Sequence, residues 1–293
     1  GDVYKRQILY FTRSMIMGIK IVTDSTSYLP EDLCTTYDIS IVSLNVILDG
    51  ISTRETELSN THFYTQMASS NEIPTSSQPI PDEMLTTFEN IIKEGHSILG
   101  IFLSSEMSGT YASSHLIRQM LLEKYPNATI ELFDSLTNCM QMGFVVLEAA
   151  KAAMAHQSME EVLARAAYVR AHSRFIFTPE VLTYLQKGGR IGGAAALLGT
   201  FLQIKPILTV SKEGKTDVFT KVRTKKKAVS KLIDILLEDI KSPENLEELI
   251  VHHINCEEEG LALASTLEEK LHKPIRIQSI GPVIGLHLSL IHI

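Results

Sequence analysis

Ile98-Leu-Gly-Ile-Phe-Leu-Ser-Ser-Glu-Met-Ser-Gly-Thr-Tyr111 begins as a short apolar run, turns polar, and then enters a helical pattern. Ile98 to Leu103 is short, apolar and uncharged, as a strand buried in a parallel sheet would be. Ser104 to Gly109 is the strand-to-helix turn. Leu116, Ile117, Met120 and Leu121 then recur at helical spacing and predict a helix. Ser108 falls at or near its N-cap, and Gly109 and Thr110 present backbone N–H groups. A helix N-terminus with hydroxyls and unpaired N–H groups suits an anion. A serine there also serves as an ordinary helix cap, so the stretch alone leaves both readings open.

The same rhythm continues on either side. Ile19 to Val22 predicts a strand followed by Asp24-Ser-Thr-Ser, and Pro30-Glu-Asp marks a helix start. Ile39 to Leu48 predicts a second strand region closed by the Asp49-Gly50 turn. Asn60 begins a short helix. Pro74-Thr-Ser-Ser-Gln-Pro-Ile-Pro81 carries three prolines, so it predicts a rigid loop bearing hydroxyls and an amide rather than a helix or central strand. A helix from Asp82 to Lys93 precedes the opening strand. Ala128 to Phe133 is a strand ending at Asp134-Ser135, followed by apolar helix Gln141 to Ala155 and helix Met159 to His172. Uniformly apolar strands alternating with helices predict an α/β fold with a parallel sheet covered on both faces. In such sheets the ligand crevice lies beyond the carboxyl ends of the strands. Asp24, Ser104-Ser105 and Asp134 all stand at such ends, where each either holds a turn or faces a ligand.

Beyond residue 172 the character changes. Phe175 to Phe177 predicts a strand and Pro179 to Gln186 a short helix. The glycine- and alanine-rich Lys187 to Gly199 segment surrounds Arg190. It reads as tight helix packing or as room for a slender apolar ligand. Pro206 to Val210 and Val218 to Val222 form a predicted hairpin, and Arg223-Thr-Lys-Lys-Lys227 opens an amphipathic helix. Strand Ile250 to Ile254, helix Glu257 to Leu271, strand Ile275 to Ile280 and a Gly281-Pro turn ending near His287 complete a second unit. The predicted division is a leader at 1–16, extraneous or disordered, an N-terminal α/β domain at 17–172 and a C-terminal α/β domain at 173–293.

A net charge of −7 argues against nucleic acid as the main partner, because phosphate binding needs a basic surface. Three dispersed cysteines fit a reducing, cytoplasmic setting and no structural metal. No apolar run approaches the roughly 20 residues of a membrane-spanning helix. His252 and His253 are adjacent on a predicted strand, point to opposite faces, and so cannot share a metal. Cys139 near a helix start reads as a plain buried cysteine.

Together Ile21-Val-Thr-Asp-Ser-Thr-Ser, Thr75-Ser-Ser-Gln-Pro, Ser104-Ser-Glu-Met-Ser-Gly-Thr-Tyr, Lys187-Gly-Gly-Arg-Ile, Ile204-Lys-Pro-Ile-Leu, Lys221-Val-Arg-Thr-Lys-Lys-Lys-Ala and Ile280-Gly-Pro-Val-Ile-Gly resemble the DegV family of bacterial fatty-acid-binding proteins. The likeness spans Ile19 to Leu288. It implies a two-domain α/β fold with one long-chain fatty acid in a tunnel between the domains. It also implies that the carboxylate is presented to a separate ATP-dependent fatty acid kinase subunit, which makes an acyl-phosphate for phospholipid synthesis. The chain would then be no enzyme by itself, need no cofactor or metal beyond its acyl ligand, and allow transient membrane contact.

Carried over by motif, the carboxylate site comprises Ser76 and Ser77 of the hydroxyl loop, Ser108, Gly109 and Thr110 at the helix start, and His287. Arg190 and Arg223 match motif arginines, with Arg223 the better candidate for the neighbourhood of the carboxylate or phosphate. Ser76 stands where the family usually has Thr, and Ile80 where it often has a small residue. The ending Leu288-Ser-Leu-Ile-His-Ile293 departs from the family's Gly-rich segment and final strand. The competing expectation is a hydrolase or acyltransferase with Ser108, or else Ser105, as nucleophile, which needs a base held by a third group.

Overall fold

The computed structural model describes residues 18–70, 72–199 and 204–288. The expected leader and His292 lie outside the described residues. Strand β1 (Ile19–Asp24) leads through α1 (Glu31–Thr36) to β2 (Ile39–Val42). The expected long second strand is divided, because Ser43 and Leu44 break it. Beyond them β3 (Asn45–Leu48) pairs antiparallel with β4 (Ile51–Arg54). Asp49 and Gly50 form the two-residue hairpin loop, and both have positive φ (49° and 75°). An Asp-Gly pair suits such a loop, since glycine adopts positive φ without steric cost.

Helix α2 (Asn60–Ser69) is capped by Ser59, whose Oγ accepts from the His62 N–H at 3.5 Å. The cap-like side chain of Asn60, at the first position of the helix, donates to Ser279 Oγ and to the Ile280 carbonyl. The proline-bounded segment is not all loop. Thr75–Ser77 forms β5, which pairs antiparallel with β3 and puts Ser76 opposite Val46. It is an edge strand, where flanking prolines are tolerated. Helix α3 (Pro81–Lys93) begins on Pro81, whose missing N–H costs nothing at that position.

Strand β6 (Ser97–Phe102) is the quoted apolar run, and helix α4 (Thr110–Lys124) follows its turn. Strand β7 (Ile130–Asp134) closes a four-stranded parallel sheet in the order β2-β1-β6-β7. Thr110, Ser114, Ile117 and Leu121 make the buried face of α4, whereas Leu116 and Met120 are 65% and 54% exposed. The expected apolar stripe is thus half as wide, because 116 and 120 stand beside the buried row rather than in it. Helices α5 (Cys139–Met154) and α6 (Met159–Ala171) come next. Helix α5 is apolar on nearly every side and is buried accordingly.

The later part of the chain comprises β8 (Ile176–Phe177), α7 (Thr183–Lys187), a 3₁₀ turn at Gly192–Leu197, β9 (Lys205–Val210), β10 (Thr216–Val222), α8 (Lys225–Ile240), β11 (Ile250–His253), α9 (Glu257–Leu271), β12 (Arg276–Ser279) and α10 (Pro282–Leu288). Strands β8, β9 and β10 form an antiparallel sheet with β9 in the middle, and β11 and β12 form a parallel pair. The expected closing turn at Gly281-Pro is instead the start of α10. The strands of the four-stranded parallel sheet all precede residue 172, and β8 to β12 follow it. The largest apolar core nevertheless joins both parts, with Leu99 and Val145 in the same cluster as Leu208 and Ile284.

Candidate functional site

A cavity of about 500 Å³ opens where β5, the start of α4, α7 and α10 converge. The carboxyl end of β6 supplies Leu103 to its wall, as expected for the crevice of a parallel sheet. Leu44, Phe175, Phe177, Leu185, Val210 and Ile284 supply apolar surface. Ser76, Ser77, Ser108, Gly109, Arg190 and His287 supply polar groups. Six of the eight residues expected from the sequence therefore line one cavity, although they come from four separate segments.

The other two lie elsewhere. Thr110 is fully buried behind the wall, where its Oγ1 lies 2.9 Å from Ser108 Oγ and its N–H donates to that same oxygen. It orients Ser108 rather than lining the cavity. Arg223 is exposed and outside the lining. Thr216 touches the cavity, but Val222 lies six residues further along β10, and a strand advances about 3.3 Å per residue. Arg223 is therefore carried to the far end of the strand. Arg190, the arginine given the lesser role from the sequence, is the one at the cavity.

Arg190 is held by its neighbours' carbonyls. Its Nε donates to the Met107 carbonyl at 3.0 Å and its Nη1 to the Gly188 carbonyl at 2.6 Å. Both acceptors are backbone carbonyls, and among the described residues no carboxylate pairs with Arg190. The start of α4 adds the partial positive charge of a helix N-terminus beside Ser108 and Gly109. A side chain at Gly109 would displace the Gln78 amide, which packs directly against it. Gln78 Oε1 in turn accepts from Ser113.

His287, in the last turn of α10, reaches across to β5. Its Nε2 lies 3.2 Å from Ser76 Oγ. Burial, aided by the charge of Arg190, pushes its pKa down to about 4, so the ring is neutral at neutral pH. Its Nδ1 is buried with no hydrogen-bond partner among the described residues. Ser76 and His287 thus resemble a nucleophile and base without the third group that would orient and strengthen the base. Ser108, expected as the nucleophile in the competing reading, bonds to Thr110 instead.

The carboxylates at the strand ends hold turns. Asp24 accepts from the Thr26 N–H and hydroxyl and from the Leu103 N–H, fastening β1 to the end of β6. Burial pushes its pKa up to about 6 against those hydrogen bonds. Asp134 accepts from the N–H groups of Ser105 and Leu136. Cys139 is fully buried, and burial raises its thiol pKa well above the usual value. Buried His252 accepts from the Met140 N–H and sits against the Gln278 carbonyl. Among the described residues no group of three or more metal-ligating side chains is close enough to hold a metal.

Sequence reading did not single out Asn138, which lines the cavity at the start of α5. It is 6% exposed and its Oδ1 is unpaired among the described residues. In sequence, an asparagine ahead of a helix looks like an ordinary cap, although here its side chain makes no cap hydrogen bond. Phe177 and Leu185 were missed too, since an apolar residue lining a cavity looks like any core residue in the sequence.

The fold and site define an α/β protein with an apolar cavity bearing hydroxyls, a helix N-terminus and an arginine. A profile described as an uncharacterised protein family, DegV, matches residues 18–290, and the chain belongs to the DegV family. A DegV domain-containing protein of Clostridium acetobutylicum is 47% identical over 273 residues, covering 93% of this chain and 95% of the relative. Protein DegV of Bacillus subtilis is 34% identical, covering 93% and 96%. The crystal structure of DegV from Bacillus subtilis, a fatty-acid-binding protein, matches with TM-score 0.82 and 31% identity over 94% of this chain and 98% of that one. A fatty-acid-binding DegV protein from Streptococcus agalactiae matches with TM-score 0.84 and 29% identity over 94% and 97%.

Proposed function

We propose that this protein binds one long-chain fatty acid in the cavity, with its carboxylate at the Ser76–Ser108–Arg190 end and its tail along the apolar wall. The observation that carries this reading is the joining of those polar groups to Leu103, Phe177 and Ile284 in one cavity. A buried carboxylate needs hydrogen bonds and a nearby positive charge, which two hydroxyls, a helix N-terminus and Arg190 supply. The tail contributes roughly 0.8 kcal/mol per buried CH₂, so it sets affinity while the polar groups set orientation. Relatives of this fold described as fatty-acid-binding support the ligand class.

The chain then acts as a substrate-presenting subunit with no catalytic residue of its own. A separate kinase transfers the γ-phosphoryl group of ATP to the presented carboxylate oxygen, ADP leaves, and the acyl-phosphate feeds phospholipid synthesis. This role places the protein in the cytoplasm with transient access to membrane lipid. It also divides the chain at 172/173, with the ligand held between the two parts.

Native mass spectrometry of protein purified without added lipid, followed by lipid extraction, tests the reading. A stoichiometric long-chain acid is expected. Protein that is empty and takes up neither oleate nor palmitate would overturn it.

A further inference from the structure

Glu55 and Asp24 are the buried carboxyl groups, among the described residues, that the binding site does not use. Glu55 is 5% exposed, and the groups that act on it among the described residues are Ser25, Tyr28, the Val283 N–H and Asp24, none of them a cation. Its Oε2 accepts from Ser25 Oγ at 2.5 Å. Its Oε1 accepts from Tyr28 OH at 2.9 Å and from the backbone N–H of Val283 at 2.8 Å. The last contact joins residues 228 positions apart in the chain. Val283 is the second residue of α10, and His287 follows one turn later on the same face. The next N–H, that of Ile284, donates to Tyr28 OH at 3.2 Å. The first two free N–H groups of α10 are therefore satisfied by side chains from the opposite end of the chain, and a carboxylate faces the positive end of the helix. Tyr64 OH grips the approach to the helix by donating to the Ile280 carbonyl at 2.7 Å.

We infer that Glu55 is a positioning residue, fixing the axial position of α10 so that the His287 ring meets Ser76 at the polar end of the cavity. Burial pushes the Glu55 carboxyl up to about 7, and the titratable groups facing it are Asp24, Tyr28, Tyr64 and Cys139, none of them a cation. The anchor survives protonation. A proton on Oε2 turns toward Ser25 Oγ, while Oε1 still accepts from Val283 and Tyr28. The amide of Glu55→Gln can do the same, with its oxygen toward α10. The role therefore depends on an acceptor at that point more than on charge. It extends the fatty-acid reading by explaining how one wall of the cavity is held.

The test uses the full chain labelled with ¹³C-histidine, with His287 titrated by NMR in lipid-free protein, and then oleate affinity. In the wild-type protein and in Glu55→Gln, His287 is expected to titrate near 4. In Glu55→Ala it is expected to move toward the ordinary 6.5 as α10 loosens, with oleate affinity falling about fivefold. A folded Glu55→Ala protein with His287 unmoved would overturn the assignment, as would Glu55→Gln moving as far as Glu55→Ala. If Glu55→Ala does not fold, Glu55→Asp decides. Its carboxylate is one methylene short of Val283, and an unchanged His287 titration there would overturn the assignment. The NMR arm needs no ligand, so a wild-type protein that binds no oleate defeats the fatty-acid reading while leaving Glu55 to be judged.

Discussion

Ser76 Oγ and His287 Nε2 lie 3.2 Å apart although 211 residues separate them in the chain. The contact closes the polar end of the cavity between an edge strand from the first part of the molecule and its last described helix. It also gives each partner a distinct function. With its proton on Nε2, the neutral His287 ring donates to Ser76 Oγ and leaves the Ser76 O–H to donate to an anion.

Ser76→Ala is expected to weaken oleate binding by about 1 kcal/mol, roughly fivefold, the net worth of one hydrogen bond. The melting temperature should hardly change, because β5 keeps its backbone pairing with β3. If kinase presentation falls more than binding does, the hydroxyl orients the carboxylate. Equal losses would mean that it only adds affinity. Calorimetry with oleate and a kinase assay measure the two effects.

Arg190→Ala and Arg223→Ala should separate cleanly. Loss of Arg190 removes the cation at the cavity and also the charge that helps to depress the His287 pKa. Oleate binding should fall and the His287 titration should rise from about 4. Arg223→Ala should leave both unchanged. A binding defect in Arg223→Ala equal to that of Arg190→Ala would contradict the placement of the carboxylate.

Gly188→Ala should damage the site with little local backbone strain. A methyl group there would run into the Nδ1 edge of the His287 ring. Either α7 or the ring must shift, so a lower melting temperature and weaker oleate binding should appear together. Gly189→Ala makes a useful contrast. Open space surrounds that position, and its positive φ of 71° makes the cost one of backbone strain alone.

Between about pH 4 and 7 the buried groups oppose one another, so their combined effect on stability should be small. Burial raises Asp24 to about 6 and Glu55 to about 7, so each favours its protonated form in the fold. Their contribution is complete below about pH 4 and is lost as pH rises through those values. Burial lowers His252 and His287 to about 4, so their contribution is complete above about 6.5 and is lost as pH falls toward 4. Glu55→Gln removes one side of this balance. Relative to wild type, its unfolding free energy should rise between about pH 4.5 and 7 by a few kcal/mol at most and then level off. Urea denaturation across that range measures it, and a constant difference would show that Glu55 does not titrate there.

The opening strand, its turn and the α4 helix were legible because apolar period and turn chemistry are local properties. The parallel sheet followed from the same signal repeated in β1, β6 and β7. The motif resemblance marked Ser76, Ser108 and His287, since short motifs keep their residue types wherever they are placed in space. What the sequence could not show was which arginine joins them. Arg190 and Arg223 both sit in motif segments, and only the length and direction of β10 carry Arg223 away from the cavity that Arg190 joins. The division of residues 39–48 between two sheets, the pairing of Thr75–Ser77 with β3, and the helix that carries His287 are all tertiary outcomes. So is the Glu55–Val283 contact. Each depends on a long-range hydrogen bond whose partners carry no mark of one another in the chain. Composition and period determine which segments form strands and helices, whereas packing of those segments determines which side chains share a cavity.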